Sequence, residues 1–178
     1  MTDISVVIPT HNRLRFLKRA VESVLQQKEI AGIELIVVDD GTSEQMDTIR
    51  KFVEEQGGCY LFTGGEKGGG VARNLGIERA NGDLIAFLDD DDAWDAMKLA
   101  RQLPQFSDTS VGLCYTGISI IGTNGRHRYS FRKPRYNDHY RSILKGNFIG
   151  TTSSLVVRRT VLETTGGFDP VLPQLQDY

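Results

Sequence analysis

Through the first ninety residues, short β-branched runs alternate with segments whose apolar residues recur every three or four positions. Ile4-Ser5-Val6-Val7-Ile8 is a strand-like run that stops at Pro9. Leu14, Leu17, Val21, Val24 and Leu25 then fall on one helical face, which predicts an amphipathic helix over 14–27. Glu34-Leu35-Ile36-Val37-Val38 reads as a second strand, and Asp39-Asp40-Gly41-Thr42-Ser43 as a turn with a helix N-cap candidate. A helix over 44–56 follows, with Met46, Ile49, Phe52 and Val53 as its apolar stripe. Cys59-Tyr60-Leu61-Phe62 is a third strand and 70–80 a third helix. Leu84 to Leu88 is apolar throughout, as a strand covered on both faces is. Strands separated by helices imply right-handed βαβ units, and hence an α/β fold with a mainly parallel, Rossmann-like central sheet flanked by helices.

The second half is less regular. Gly112 to Ile121 reads as one strand, Asn124-Gly125 is a two-residue hairpin signal, and Tyr129 to Phe131 is the expected return. Residues 132–140 lack periodicity and read as a loop. Thr152 to Val157 is a further strand, and Arg159 to Thr164 a short helix. No internal repeat or low-complexity tract is visible.

Composition narrows the class. The chain has 178 residues, the size of one domain. Its 21 Lys and Arg against 23 Asp and Glu give a net charge of −2, without the basic excess of a general nucleic-acid binder, so no nucleic-acid partner is expected. Two cysteines, Cys59 and Cys114, are too few for a disulfide framework or four zinc ligands, and their apolar surroundings predict small buried hydrophobes. No apolar run approaches the ~20 residues of a membrane span, and the first residues carry no basic, apolar leader pattern. A cytoplasmic protein is expected.

In an open parallel sheet, ligands bind beyond the carboxyl ends of the strands. Three strands here end in polar or acidic clusters: Pro9-Thr10-His11-Asn12-Arg13, Asp39-Asp40, and Asp89-Asp90-Asp91-Asp92. All three are expected along one edge. Four consecutive aspartates repel one another unless neutralised, and oxygen-only ligands suit a hard cation such as Mg²⁺ or Mn²⁺. The simpler alternative is that Asp89 and Asp92 cap a following helix, with Asp95 complementing its dipole. An EF-hand does not fit, because Ala93 and Trp94 stand where it needs a third acidic ligand and a glycine.

Gly64 to Asn74 places a glycine run before a helix, where free backbone N–H groups receive anions and Lys67 and Arg73 can add charge-assisted bonds to a diphosphate. An ordinary glycine loop is the competing reading. No P-loop and no dinucleotide fingerprint occurs. Residues 126–145 hold seven Lys and Arg with one acidic residue, Asp138, and Tyr129, Phe131, Tyr136 and Tyr140 interleaved. Single-stranded base stacking, a solvated basic face and a lid over an anionic ligand all remain open for this segment. His11 sits at the ligand edge without a nucleophile partner, and His127 and His139 lack metal-ligand spacing. Trp94 and Phe168 read as packing anchors.

Five segments in register resemble the nucleotide-sugar glycosyltransferases of family 2, which have the GT-A fold. They are Val6 to Arg13, Ile36 to Thr42, Gly70 to Gly76, Gly82-Asp83 through Leu88 to Asp92, and Gly166-Gly167-Phe168-Asp169. The resemblance implies a GT-A catalytic domain over 1–178, with a nucleotide-sugar-binding part over about 1–100 and an acceptor-side part over about 101–178. Pro9, Thr10, Asn12, Arg13, Asp39, Gly70, Arg73, Asp89 and Asp90 match donor-binding positions, with Asp39 accepting a base N–H. Asp89-Asp90-Asp91 matches the D-x-D motif, in which Asp91 and Asp89 hold the Mg²⁺ or Mn²⁺ that bridges the diphosphate. Asp177 matches the general base, although the usual Glu-Asp pair reads Gln176-Asp177 here. Inverting, metal-dependent transfer from a nucleoside-diphosphate sugar, expected to be a UDP-sugar, to a carbohydrate or lipid-linked acceptor is implied. Family members usually continue past this motif, so a chain truncated just after it is expected.

Two other classes compete. A sugar-phosphate nucleotidyltransferase also needs a parallel sheet and metal-binding aspartates, but it carries a Gly-rich basic loop after its first strand, where this chain has Thr10-His11-Asn12-Arg13. A non-catalytic nucleotide- or carbohydrate-binding module would show no donor turnover to lose when Asp91 is replaced.

Overall fold

In the computed structural model, which describes residues 4–42, 44–122, 125–131 and 138–172, every apolar run of the first half is a strand and every periodic segment a helix. β1 (Ile4–Thr10) leads through α1 (Leu14–Leu25) to β2 (Ile33–Asp39), and α2 (Met46–Glu55) leads on to β3 (Cys59–Phe62). From there α3 (Gly69–Arg79) returns the chain to β4 (Leu84–Phe87), and α4 (Lys98–Gln102) follows. The second half contributes β5 (Leu113–Tyr115), β6 (Ile118–Ile121), β7 (His127–Phe131), α5 (His139–Ile143), β8 (Leu155–Arg158) and α6 (Arg159–Thr165).

Among the described residues the main sheet runs β3-β2-β1-β4-β8-β5. β1 pairs in parallel with both β2 and β4, β2 pairs in parallel with β3, and β8 lies antiparallel between β4 and β5. The chain therefore steps outward from β1 to β3 and then crosses back to β4. Right-handed crossovers send the outward helices to one face and the returning helix to the other. The two hydrophobic cores show this division. Leu17, Val21 and Val24 of α1 and Ile49 and Val53 of α2 pack on Ile4, Val6, Ile8 and Val37, whereas Ala72 of α3 packs on Val7, Ile36, Val38 and Phe87. The expected mainly parallel α/β sheet is present.

The second half departs from its sequence pattern in two places. The run Gly112 to Ile121 is two strands in different sheets. β5 ends at Tyr115, opposite Leu155, because β8 begins there and offers no ladder beyond it. The chain then leaves to form the β6–β7 ribbon. Thr152–Ser154 is a 3-10 turn and not the start of a strand, so only Leu155–Arg158 enters the sheet. The hairpin signal holds at its described end, where Gly125 has φ +74° and its N–H donates to the Gly122 carbonyl at 2.8 Å. Cys59 and Cys114 are both unpaired thiols packed at the margins of the cores. No helix among the described residues is long and apolar enough to cross a membrane.

Two packing details have measurable consequences. A Cβ built on Gly76 would lie 2.3 Å from Val7 Cγ1, so α3 approaches β1 as closely as a bare backbone allows. Lys98 is 6% exposed, its Nζ stands 4.0 Å from the centroid of the Trp94 ring, and it has no hydrogen-bond partner among the described residues. Burial pushes this amine down from 10.5 to about 7.

Gly76→Ala tests the first detail. Alanine gains about 1 kcal/mol of helix preference, but overpacking costs about 1–3 kcal/mol. A net loss is expected, seen as a lower calorimetric Tm; an unchanged Tm would mean that Val7 yields. For Lys98 the folded state binds its proton more weakly than the unfolded chain, so stability rises with pH above about 7. Between pH 7 and about 9.5 that dependence is expected to approach 1.4 kcal/mol per unit for this one group. Lys98→Met should remove it and be more stable than the parent at pH 7, as read by urea unfolding across the range.

Candidate functional site

The order of strands reverses between β1 and β4, and a cleft of about 580 Å³ opens beyond their carboxyl ends. Pro9, Thr10 and Arg13 reach it from the end of β1, Arg73 from the first turns of α3, and Asp89, Asp90 and Asp91 from the end of β4. The three expected clusters therefore meet.

Each of the three aspartates lining the cleft meets a guanidinium group, and Asp90 and Asp91 share one. Asp89 Oδ1 accepts from Arg73 Nη2 at 2.5 Å, and Thr152 Oγ1 stands 3.1 Å from its Oδ2. Asp90 accepts from the Thr10 hydroxyl at 2.7 Å and from Arg13 Nη1 at 3.3 Å. Arg13 Nη1 also donates to Asp91 Oδ2 at 3.1 Å, while Arg19 donates to the Asp91 carbonyl. Burial raises the Asp90 carboxyl above the ordinary range, against the lowering pull of the Thr10 hydroxyl and the Arg13 charge. Burial also raises Asp92, against its bond from Ser153. Helix capping does not account for the run. The next helix, α4, begins at Lys98 with no side-chain cap, and Asp95 caps only the N–H of Met97 at 2.9 Å.

The other predicted donor residues stand just behind the lining. Asn12 adopts φ +55° and clamps two loops together: its Oδ1 accepts from Thr42 N at 3.0 Å, and its amide donates to the Thr42 hydroxyl at 3.0 Å. A Cβ on Gly41 would lie 2.4 Å from Asn12 Oδ1, so this clamp needs the glycine. Asp39 is buried, with Oδ1 accepting from Gly41 N at 2.8 Å and Oδ2 from the Tyr60 hydroxyl at 3.0 Å. The Tyr60 hydroxyl is correspondingly pushed up, by burial first and then by Asp39. Gly70 is buried in the first turn of α3, beside Gly68 and Gly69, which line the cleft. Asp177 lies outside the described residues, as do Arg132, Lys133, Arg135 and Tyr136 of the basic segment.

Several residues at the site lie outside the donor positions that the resemblance implies. His11 lines the cleft with Nδ1 2.9 Å from the Asp40 carbonyl oxygen. Asp40 shapes the glycine loop: its carboxylate accepts from the N–H groups of Lys67 and Gly68 at 2.8 Å each, and from the Thr63 hydroxyl. Its place in the Asp39-Asp40 pair is the signal that the sequence offers for it. Thr152 has none, because a threonine at the head of an apolar run looks like any strand residue.

Phe168 is the packing anchor its sequence context suggests, and it supports the cleft. Its ring meets Phe87 edge-on at 5.2 Å and lies 5.5 Å from the Arg73 guanidinium. The Asn74 side chain holds the Phe168 backbone at both ends, accepting from its N at 2.9 Å and donating to its O at 2.7 Å.

The donor set available for a metal consists of carboxylate oxygens. Among the described residues no three His, Cys, Asp or Glu side chains come together as a metal cage. Asp89 and Asp91 fit a hard divalent cation that takes one or two protein carboxylates and completes its shell from water and phosphate oxygens.

Comparison with known proteins adds sequence relatives to this geometry. A curated but uncharacterised glycosyltransferase of Nostoc sp. is 34% identical over 176 residues, covering 94% of this chain and 54% of the relative. A UDP-Glc:α-D-GlcNAc-diphosphoundecaprenol β-1,3-glucosyltransferase of Escherichia coli is 33% identical, covering 68% of this chain and 47% of its own length. The chain thus spans about half the length of these curated relatives. The crystal structure of residues 1–349 of TarS from Staphylococcus aureus superposes with a TM-score of 0.75 over 99% of this chain and 53% of that one, at 20% identity, and shares its GT-A fold. The family described as "Glycosyl transferase family 2" matches residues 5–166. With the strand ends, the acidic run and the glycine loop all placed at one switch-point cleft, the chain belongs to glycosyltransferase family 2.

Proposed function

We propose that this chain transfers a sugar from a UDP-sugar to a hydroxyl of a carbohydrate or lipid-linked acceptor, with inversion at the anomeric carbon. The observation that carries this reading is the convergence of Pro9, Thr10, Arg13, Arg73, Asp89, Asp90 and Asp91 on one cleft. The Escherichia coli relative, named for a UDP-Glc donor and a lipid diphosphate acceptor, supports both choices. Residues 1–100 would hold the donor, and 101–178 the acceptor side. Two unpaired cysteines are consistent with a reducing, cytoplasmic setting.

A diphosphate needs positive charge and N–H donors. Arg13 and Arg73 supply guanidinium groups suited to phosphate oxygens, and the Gly68-Gly69 entry to α3 adds the positive end of a helix. Asp39 retains lone pairs beyond its two bonds, so it can accept a base N–H from beneath the cleft. Asp91, half exposed and held by Arg13, would share Mg²⁺ or Mn²⁺ with Asp89. When bound, the cation neutralises charge that grows on the departing nucleoside diphosphate. Asp177 would accept the acceptor hydroxyl's proton as its oxygen attacks from the opposite face.

Calorimetric titration with UDP, GDP, dTDP and CDP tests the donor half. UDP should bind tightest, require Mn²⁺ or Mg²⁺, and lose at least tenfold in affinity in Asp91→Asn with an unchanged Tm. Metal-independent binding, or none by any nucleotide, would overturn this half. For the chemical step, Asp177→Asn should leave UDP affinity intact and slow UDP-glucose turnover by about 10²–10⁴-fold, the usual range for a general base. Equal turnover by Asp177→Asn would remove that assignment.

A further inference from the structure

A second cavity of about 560 Å³ lies on the other side of the aspartate run. The first cleft is lined by Asp89, Asp90 and Asp91, and the second begins at the next residue, Asp92. The turn over 151–154 joins the two, with the Thr152 hydroxyl on Asp89 while Thr151 and Ser153 line the second cavity. Lys98 and Trp94 form part of its wall and Ser119 of β6 another. Trp94 is fixed by its indole N–H, which donates to the Ser153 carbonyl at 2.8 Å, and by its own backbone N–H, which donates to Ser23 Oγ at 3.1 Å.

Lys98 is the unusual member. Its side chain is almost wholly buried and its amine has no hydrogen-bond partner among the described residues. A buried amine left without an acceptor forfeits the hydrogen bonds that water would give it, and the loss is greater when it is charged. The ring face of Trp94 attracts a cation but offers no lone pair to its N–H groups. What would satisfy this group is a ligand oxygen, best an anionic one, entering a hydroxyl-lined cavity beside the donor cleft.

We propose that this cavity is an acceptor-side oxyanion site in which Lys98 anchors a carboxylate or phosphate of the acceptor. The proposal rests on the transferase reading for the identity of the ligand, but the site itself can be tested without it. Asp92 and Asp95 of the preceding loop, Arg101 of α4 and Cys114 of β5 are the charged or titratable neighbours on the surrounding elements. An anion entering here restores the charge that burial suppresses on Lys98, and the protonated amine donates to the anion's oxygens.

Trp94 is the one tryptophan in the chain, so its fluorescence reports on this cavity alone. The experiment titrates wild type and Lys98→Met with inorganic phosphate, with D-glucuronate, and with D-glucose as the neutral control. UDP binding is measured in parallel by calorimetry. Expected is a saturable change in emission with phosphate or glucuronate, none with glucose, and at least a tenfold loss of affinity in Lys98→Met with UDP binding retained. A response to phosphate alone assigns a phosphate-bearing acceptor, and a response to glucuronate alone an acidic sugar. No response to either anion, an equal response to glucose, or full response in Lys98→Met overturns the site. A second arm needs no variant. The pH midpoint of wild-type emission, expected near 7 from Lys98, should rise by about one unit in saturating glucuronate, whose carboxylate is ionised throughout that range. Where glucuronate binds in the first arm, an unmoved midpoint overturns the proposal. If UDP fails to bind wild type while the anion response persists, the donor reading fails and the anion site stands.

Discussion

Four carboxylates in succession at the end of a strand buried on both faces set the terms for the whole cleft. Close like charges are tolerable only when each has a partner. The partners come from different parts of the chain: Thr10 and Arg13 from the end of β1, Arg73 from α3, and Thr152 and Ser153 from the turn before β8. The acidic run therefore ties together elements that share little sequence proximity. Two guanidinium groups face three of these carboxylates, Arg73 on Asp89 and Arg13 shared by Asp90 and Asp91, and hydroxyl groups complete the set.

Sheet topology makes this meeting possible. Because β1 lies between β2 and β4, the polar ends of β1 and β4 are neighbours, and the cleft opens beyond them where the strand order reverses. The crevice depends on close backbone packing behind it. Gly76 lets α3 lie against Val7, and Gly41 leaves room for the Asn12 side chain that ties the β1 and β2 loops. A larger residue at either position would displace the arginine-bearing helix or the loop that carries Asp40. The same economy of space explains why Asp39 and Asn12 stand behind the lining: they hold the loops whose neighbours face the cleft.

The distal half of the chain joins the site through side-chain contacts more than through the sheet. Phe168 packs on Phe87 and lies close to the Arg73 guanidinium, while Asn74 grips its backbone. The Gly166-Gly167-Phe168-Asp169 element thus braces the cation opposite Asp89. Lys98 and Trp94 play a comparable part on the other face, where the 151–154 turn lines the second cavity and bonds Asp89 through Thr152.

Local pattern alone determined the first half. β-branched runs, helical apolar spacing and polar strand ends are written in contiguous residues, so β1 to β4, α1 to α3 and the convergence of Thr10, Arg13, Arg73 and Asp89 to Asp91 are legible in the sequence by itself. The family resemblance rests on those same contiguous motifs. Tertiary structure decided what contiguous residues cannot encode. Gly112 to Ile121 divides between two sheets because β8 ends its ladder at Leu155, and that boundary is set some forty residues later in the chain. Thr152 joins the cleft, and Lys98 lies buried against Trp94, only because distant segments fold over them. A lysine four positions after a tryptophan carries no local sign of burial; the loss of its solvent is a property of the packed chain, and with it goes the ordinary behaviour of its charge.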